Sequence, residues 1–203
     1  MSHKKYNFFF GFLDTQEKWL NKMASKGYRL IRTTKVMYEF EPCKNGEYQY
    51  LVEFVGDKSY KESKKYKEFL EELGYQTFYK NINMNFTIGK VKWRPWGKGM
   101  GQITTNPGTF NKELLIVEKP NDGKTFELHT SKKDLVEYYK PIRNAYISTI
   151  ILAILALALN YFSYGLFKYS TIIFLIIIIF LLFPIISYQK RITKYHQAEK
   201  IEE

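Results

Sequence analysis

Apolar and polar residues are distributed very unevenly along this chain. Positions 144–167 and 169–189, 24 and 21 residues, contain no Asp, Glu, Lys or Arg, and only Lys168 separates them. A helix rises about 1.5 Å per residue, so about 20 residues cross a hydrocarbon layer of roughly 30 Å. Both runs are long enough, and the second, with Ile176–Ile179 unbroken, has no polar face. The pattern predicts two transmembrane helices joined by a short turn at Ser163–Lys168, an antiparallel hairpin over 144–189. Tyr146, Tyr161, Tyr164, Tyr169 and Tyr188 stand near the ends, where amphipathic rings suit the headgroup layer. Asn160 lies near enough to the turn to reach the interface. Pro184 falls late in the second span, where nearby groups can satisfy the freed carbonyl.

The first 143 residues show shorter periods. Lys5–Phe12 alternates weakly and predicts a strand. Asp14-Thr15-Gln16-Glu17 has capping-box spacing with Asp as the cap, opening a helix that runs to about Lys26 and stops at Gly27. Its apolar face is Trp19, Leu20, Met23 and Ala24. Tyr28–Arg32 reads as a strand, and Val36, Tyr38 and Phe40 alternate with polar neighbours as a half-buried one. Asn45-Gly46 then signals a two-residue hairpin leading into a strand with Tyr48, Tyr50, Val52 and Phe54 on one face. Ser59–Glu62 opens a second helix by the same capping logic, with Tyr66, Phe69, Leu70 and Leu73 as its stripe and Gly74 as its end. Strands follow at Tyr75–Tyr79 and Asn83–Ile88. Helix, Gly-Tyr, strand, strand thus occurs twice, an internal echo.

Residues 85–111 interrupt this order. The insertion is rich in Gly, Lys and Trp and has no usable period. Glu113–Lys119, a turn at Asn121-Asp122-Gly123 and Thr125–His129 predict a closing hairpin. A third helix is expected over Lys132–Lys140, with Pro141 marking the junction to the membrane. The expected architecture is α+β: a mostly antiparallel sheet with two or three helices on one face in a cytoplasmic domain (1–143). The transmembrane helical hairpin (144–189) and a cytoplasmic tail (190–203) follow.

Charge adds orientation. Of the net +11, residues 1–143 carry 26 Lys+Arg against 17 Asp+Glu, or +9. Lys132, Lys133, Lys140 and Arg143 precede the first span and Lys190, Arg191 and Lys194 follow the second, while the turn holds only Lys168. The positive-inside rule places both termini in the cytoplasm. Phe8–Leu13 is too short for a signal-peptide apolar region. The single cysteine, Cys43, allows no intramolecular disulfide.

Glu17–Phe54, EKWLNKMASKGYRLIRTTKVMYEFEPCKNGEYQYLVEF, resembles the opening of the bacterial family called domain of unknown function 2812. That family typically shows a Glu-Trp-Leu helix, a Gly-aromatic turn, a Phe-Glu-Pro-Cys segment and a Tyr-x-Tyr strand. The matching residues are Glu17, Trp19, Leu20, Gly27, Tyr28, Phe40, Glu41, Pro42, Cys43, Tyr48 and Tyr50. Tyr66–Tyr75, with Glu71, Glu72 and Gly74, resembles its second helix, and VEKPNDGKTFELHTSKKDLVEYYKPI its closing element. The resemblance covers nearly all of residues 5–143, and the insertion at Asn85–Asn111 departs from it. It implies C-terminal membrane spans and genes that neighbour PadR-type transcriptional regulators. It implies no established activity or ligand.

Candidate chemistry is sparse. His3, His129 and His196 have no metal-ligand spacing, and one cysteine cannot complete a zinc site, so neither metal nor cofactor is expected. Cys43 has no base indicated beside it and reads as a small turn residue. Gly97-Lys98-Gly99-Met100-Gly101 hints at a phosphate cradle but lacks Walker spacing and opens no helix. Glu71-Glu72 reads as a solvated helix face beside lysines. The Trp93-Arg94-Pro95-Trp96 loop, with Lys98, suits contact with an anionic membrane surface. The expected function is a membrane-anchored sensor, adaptor or binding domain, working with a PadR-type regulator or another membrane protein. A small membrane-bound enzyme acting on a lipid or peptide is the alternative, and a nucleic-acid-binding domain tethered to the membrane the second.

Overall fold

The computed structural model describes residues 2–83, 86–88, 91–95, 103–104, 112–129, 131–164 and 169–202. These fall into two compact units, Met1–Leu128 and His129–Glu203. The first begins β1 (His3–Tyr6), α1 (Leu13–Ser25), β2 (Tyr28–Thr33), β3 (Met37–Pro42), β4 (Tyr48–Phe54) and α2 (Tyr60–Glu72). It continues β5 (Gln76–Lys80), β6 (Phe86–Ile88), β7 (Val91–Trp93), β8 (Ile103–Thr104) and β9 (Leu114–Pro120). The second contains α3 (Lys132–Tyr164) and α4 (Tyr169–Glu202). All described strand pairs are antiparallel, so the chain is α+β.

Among the described residues the first unit holds two principal three-stranded sheets, ordered β1-β3-β2 and β4-β9-β5, and a small third, β6-β7-β8, inside the 85–111 insertion. β9 is central, so Leu114–Val117 are all fully buried. Val55, Leu70, Leu115 and Val117 form one apolar cluster, covered by Tyr66, Tyr79, Phe126 and Leu128. A second cluster is aromatic: Trp19 of α1 meets Phe9 (5.5 Å), Tyr38 (4.8 Å) and Phe40 (5.7 Å), mostly edge to face.

α1 buries the predicted Leu20, Met23 and Ala24. Its N-cap is Phe12, with no side-chain cap, and Asp14 already lies in the first turn. The capping box expected there does not form, because Glu17 is used elsewhere: its carboxylate accepts from Val52 N–H at 3.1 Å. One turn on, Asn21 accepts from Tyr50 N–H (2.9 Å) and donates to Tyr50 O (2.8 Å). These side chains stand in for a fourth strand along the outer edge of β4, leaving that stretch of edge closed to pairing. In α2 the box is complete, with Ser59 Oγ accepting from Glu62 N–H and Glu62 accepting from Ser59 N–H (2.8 Å).

Gly27 and Gly74 end α1 and α2 at φ +79° and +87°. A Cβ at Gly27 would lie 2.6 Å from Asn45 Oδ1 and 2.8 Å from Cys43 O, whereas nothing lies within 4 Å at Gly74. Only a glycine fits the first position.

Several elements depart from the sequence pattern. The N-terminal strand stops at Tyr6, and a tight turn closes by Phe12 N–H to Phe9 O (2.8 Å) with Phe10 at φ +46°. An L-residue pays about 1–2 kcal/mol for that left-handed conformation. Asn45-Gly46 does not make a hairpin: β3 pairs with β1 and β2, and β4 pairs with β9, so the turn carries the chain from one sheet to the other. Gly46 N–H to Ala24 O (2.8 Å) and Asn121 Nδ2 to Gly46 O (2.8 Å) pin it. Nor do Thr125–His129 form a strand, because both edges of β9 are already occupied; Phe126 and Leu128 pack on the core instead. The internal echo ends at pairing: β2 pairs with the next strand, β5 with β9. On α2, Phe69 and Leu73 are exposed, and of the expected stripe only Leu70 is fully buried, with Tyr66 packed beside it.

Pro141 does not interrupt the helix. α3 runs through it from Lys132 to Tyr164, joining the expected third helix to the first span, and α4 likewise runs through Pro184 to Glu202.

Candidate functional site

The register of β4 on β9 sets Tyr50 directly opposite Glu118. Both are fully buried, and Tyr50 Oη donates to Glu118 Oε2 at 2.6 Å while accepting from Leu30 N–H at 2.7 Å. Arg29, held on β2 by the break at Gly27, donates through Nε to Glu118 Oε1 at 2.9 Å, with Nη2 also at 2.9 Å. Its guanidinium lies 4.4 Å from the centre of the Tyr48 ring and 3.7 Å from Glu41. A carboxylate inside a sheet is tolerable only with such partners. Burial alone would lower the Arg29 pKa, but the bond to Glu118 and the charges around it raise it above its usual value. Burial and then Glu118 push the Tyr50 phenol far up, so it stays a proton donor.

Arg29, Tyr48 and Glu118 form one wall of an open cleft of about 460 Å³. Tyr48 and Tyr75 give it apolar surface; Arg29, Lys119 and Glu71 give it charge of both signs. Glu71 is held down, against its partial burial, by Lys67 and by Thr77 Oγ1 (2.9 Å), and Lys119 Nζ meets Asp122 Oδ1 at 2.8 Å. Tyr48 also borders a second cleft of about 360 Å³ with Asn21, Gln49 and Asn121. The arrangement offers aromatic surface, a partly exposed guanidinium and short polar groups, which suits holding a small polar or zwitterionic molecule. Burial, then Glu47 and Glu118, raise the neighbouring Cys43 thiol pKa despite Arg29, keeping it protonated and a poor nucleophile.

A second unusual group is Lys80, fully buried on β5. Its ammonium donates to Thr34 O and to Lys35 O (3.0 Å) and stands 3.9 Å from the Tyr38 ring centre. Burial pushes it down to about 7.

In the second unit, Ala145, Tyr146 and Ile150 of α3 and Leu181, Tyr188 and Ile192 of α4 are buried. Outside this seam the helices expose Ile151, Leu155, Leu159, Ile172, Ile179 and Phe183, among others. Both helices are long and apolar enough to cross a membrane, and only 17% of the most apolar stretch of each is buried. Two polar ties bracket that stretch. At one end Arg143 Nη1 donates to Gln189 Oε1 (2.7 Å), beside Arg191 stacked over Tyr139 (5.4 Å) and Tyr188 (5.9 Å). At the other, Ser170 Oγ donates to Asn160 Oδ1 (3.0 Å). The ties are 160 − 143 = 17 residues apart on α3 and 189 − 170 = 19 on α4. That is about 26–29 Å of helix, close to the hydrocarbon thickness.

Of the residues expected to touch a membrane surface, Trp93 is half-buried on β7, and Arg94 turns inward, Nη2 donating to Gly56 O at 2.9 Å. Burial lowers the Arg94 pKa, with Glu113 opposing. Trp96, Lys98 and the Gly97–Gly101 stretch lie outside the described residues. Asn160 faces the start of α4 and ties the two helices together; Pro184 is buried within α4. Among the described residues no group of three or more His, Cys, Asp or Glu gathers as a metal site. The Arg29–Glu118–Tyr50 cluster and Lys80 were missed from sequence. The available signal was a charged residue inside an apolar strand, as in Leu114-Leu115-Ile116-Val117-Glu118.

A family model described as "Protein of unknown function (DUF2812)" matches residues 12–151. No curated protein and no solved structure matches the chain.

Proposed function

The chain belongs to the DUF2812 family, and from that premise we propose that it is a membrane-anchored cytoplasmic binding domain, a sensor or adaptor. The observation that carries this reading is the apolar surface of α3 and α4 between the Arg143–Gln189 and Asn160–Ser170 ties. It is the length of a bilayer core and has few neighbours inside the protein. Water is a poor solvent for such a surface, and lipid is the environment that matches it. The Lys/Arg excess at the Arg143 end, with Lys140, Lys190, Arg191 and Lys194, orients that end to the cytoplasm of a bacterial inner membrane.

Binding rather than catalysis is supported by the state of the ionisable groups around the larger cleft. Glu118 is taken by Arg29 and Tyr50, Glu71 by Lys67 and Thr77, and Lys119 by Asp122. Charges satisfied within the fold shape and polarise the wall of the cleft for a ligand or a partner's side chain. The domain then presents its cleft at the membrane to a small polar ligand, and passes the bound state to a protein partner. A PadR-type regulator is the partner that the family resemblance implies.

The test is extraction and topology of the full chain in bacterial membranes. Retention in the pellet after alkaline carbonate, with tags at both ends labelled only after permeabilisation, supports the reading. Recovery in the soluble fraction without detergent, or labelling of either tag on intact cells, overturns it.

A further inference from the structure

The turn after β1 displays aromatic rings to solvent. Tyr6, Phe8 and Phe10 are 71%, 40% and 53% exposed, while Phe9 between them is buried against Trp19 and Tyr38. The Phe8 and Phe10 rings meet edge to face at 4.3 Å. The base of the turn is fixed by Asn7 N–H to Val36 O, Phe8 N–H to Asn7 Oδ1 and Phe12 N–H to Phe9 O, all at 2.8–2.9 Å. Phe10 holds φ +46° and Gly11 φ +74°. The backbone is thus held in a conformation unusual for an L-residue in which two phenylalanines face water. A domain selected only for solubility gains nothing from that.

The surroundings select the partner. Lys4 and Tyr6 alternate onto the same side of β1, and the strand register sets Lys4 and Arg32 on either side of Glu39. That carboxylate is occupied by Arg32 (3.8 Å) and Ser2 (2.8 Å). Lys4, Lys5, Arg32 and Lys35 are all exposed. Exposed aromatic rings with exposed cations on the same strand and its neighbours match the headgroup layer of an anionic bilayer, which takes up the rings at the acyl boundary and attracts the cations. We propose that Tyr6–Phe10 is a second membrane contact, an aromatic hook that enters the anionic leaflet and docks the domain on it. This rests on the anchor proposed above, since the tether keeps the hook at high local concentration beside lipid. The rigid base keeps the ordering cost of docking small.

The experiment uses the full chain in nanodiscs of phosphatidylglycerol with phosphatidylcholine, or of phosphatidylcholine alone, each with and without lipid brominated near the headgroup end of its acyl chains. Phe8→Trp adds one indole on the hook, read as the difference from the unsubstituted chain with its 3 tryptophans. Tyr6→Trp, on an exposed edge strand, gives the same reading if Phe8→Trp disturbs the turn. The added emission is expected to shift to the blue, to lose most of its intensity to brominated lipid, more so in the anionic discs, and to resist acrylamide. An added indole that acrylamide quenches and brominated lipid does not, in a chain that has entered the discs, overturns the hook and leaves the anchor standing. A chain that stays out of the discs overturns both.

Discussion

Gly27 and Gly74 provide a matched pair for measuring steric fit. Both end a helix at nearly the same left-handed φ, +79° and +87°. Alanine at either position incurs the left-handed penalty, about 1–2 kcal/mol. It also recovers roughly 0.4–1 kcal/mol through the lower entropy of the unfolded chain. Gly74→Ala, with open space around its Cβ, should therefore cost about 1 kcal/mol or less. At Gly27 the new Cβ meets Asn45 Oδ1 at 2.6 Å and the Cys43 carbonyl at 2.8 Å. Asn45 can swing aside. The Cys43 carbonyl cannot, because Cys43 N–H is bonded to Gly27 O at 2.9 Å. Overpacking of that kind adds about 1–3 kcal/mol. Gly27→Ala should then lose about 2 kcal/mol more than Gly74→Ala, a difference in Tm of roughly 4–8 °C at about 2–4 °C per kcal/mol. Thermal unfolding of the detergent-solubilised chain, followed by near-ultraviolet circular dichroism of the Trp19 cluster, reads it directly. Equal losses at the two positions would refute the clash at Cys43.

Three further outcomes are expected. Tyr50→Phe leaves Glu118 Oε2 and Leu30 N–H without their buried partner; it should cost about 2–4 kcal/mol, seen as a lower urea midpoint at unchanged slope. Lys80 has a folded pKa near 7, below its unfolded value, so the unfolded chain binds the extra proton between the two. Stability should rise with pH from about 7 toward 10, by on the order of 4 kcal/mol; Lys80→Met should flatten that slope, and a slope that survives points to other groups. Asn160→Leu removes the acceptor shared by Ser170 and Thr171. It should weaken the hairpin by about 0.6 kcal/mol, measurable as a lower thermal midpoint of the helical signal in detergent.

Local signals were the legible ones. The capping box at Ser59–Glu62 and the glycine stops at Gly27 and Gly74 form as expected, and the two uncharged runs are helical, long and apolar enough to cross a membrane; each depends on neighbours within a few residues. What failed depended on partners far along the chain. Asn45-Gly46 carries a hairpin signal, but β9 competes for β4 and wins, with Val52 and Phe54 set opposite Ile116 and Leu114. Thr125–His129 alternates like a strand, yet no edge of β9 is left to receive it. Glu17 has capping spacing but reaches Val52 instead. Arg29, Tyr50 and Glu118 come from three strands, so their convergence has no signature in any one window.

The place of β9 between β4 and β5 also sets a timetable for synthesis. β4 must wait 114 − 54 = 60 residues for its neighbour and β5 114 − 80 = 34. Until then the nascent domain carries β4 and β5 without their common neighbour, edges open to mispairing. The first uncharged run begins only 144 − 120 = 24 residues after β9 is complete, about 1–5 s of translation. If the two helices insert as proposed, closure of the sheet and insertion of the hairpin fall in the same few seconds, and a mutation that slows the first would leave an unfolded first unit on a chain already entering the bilayer.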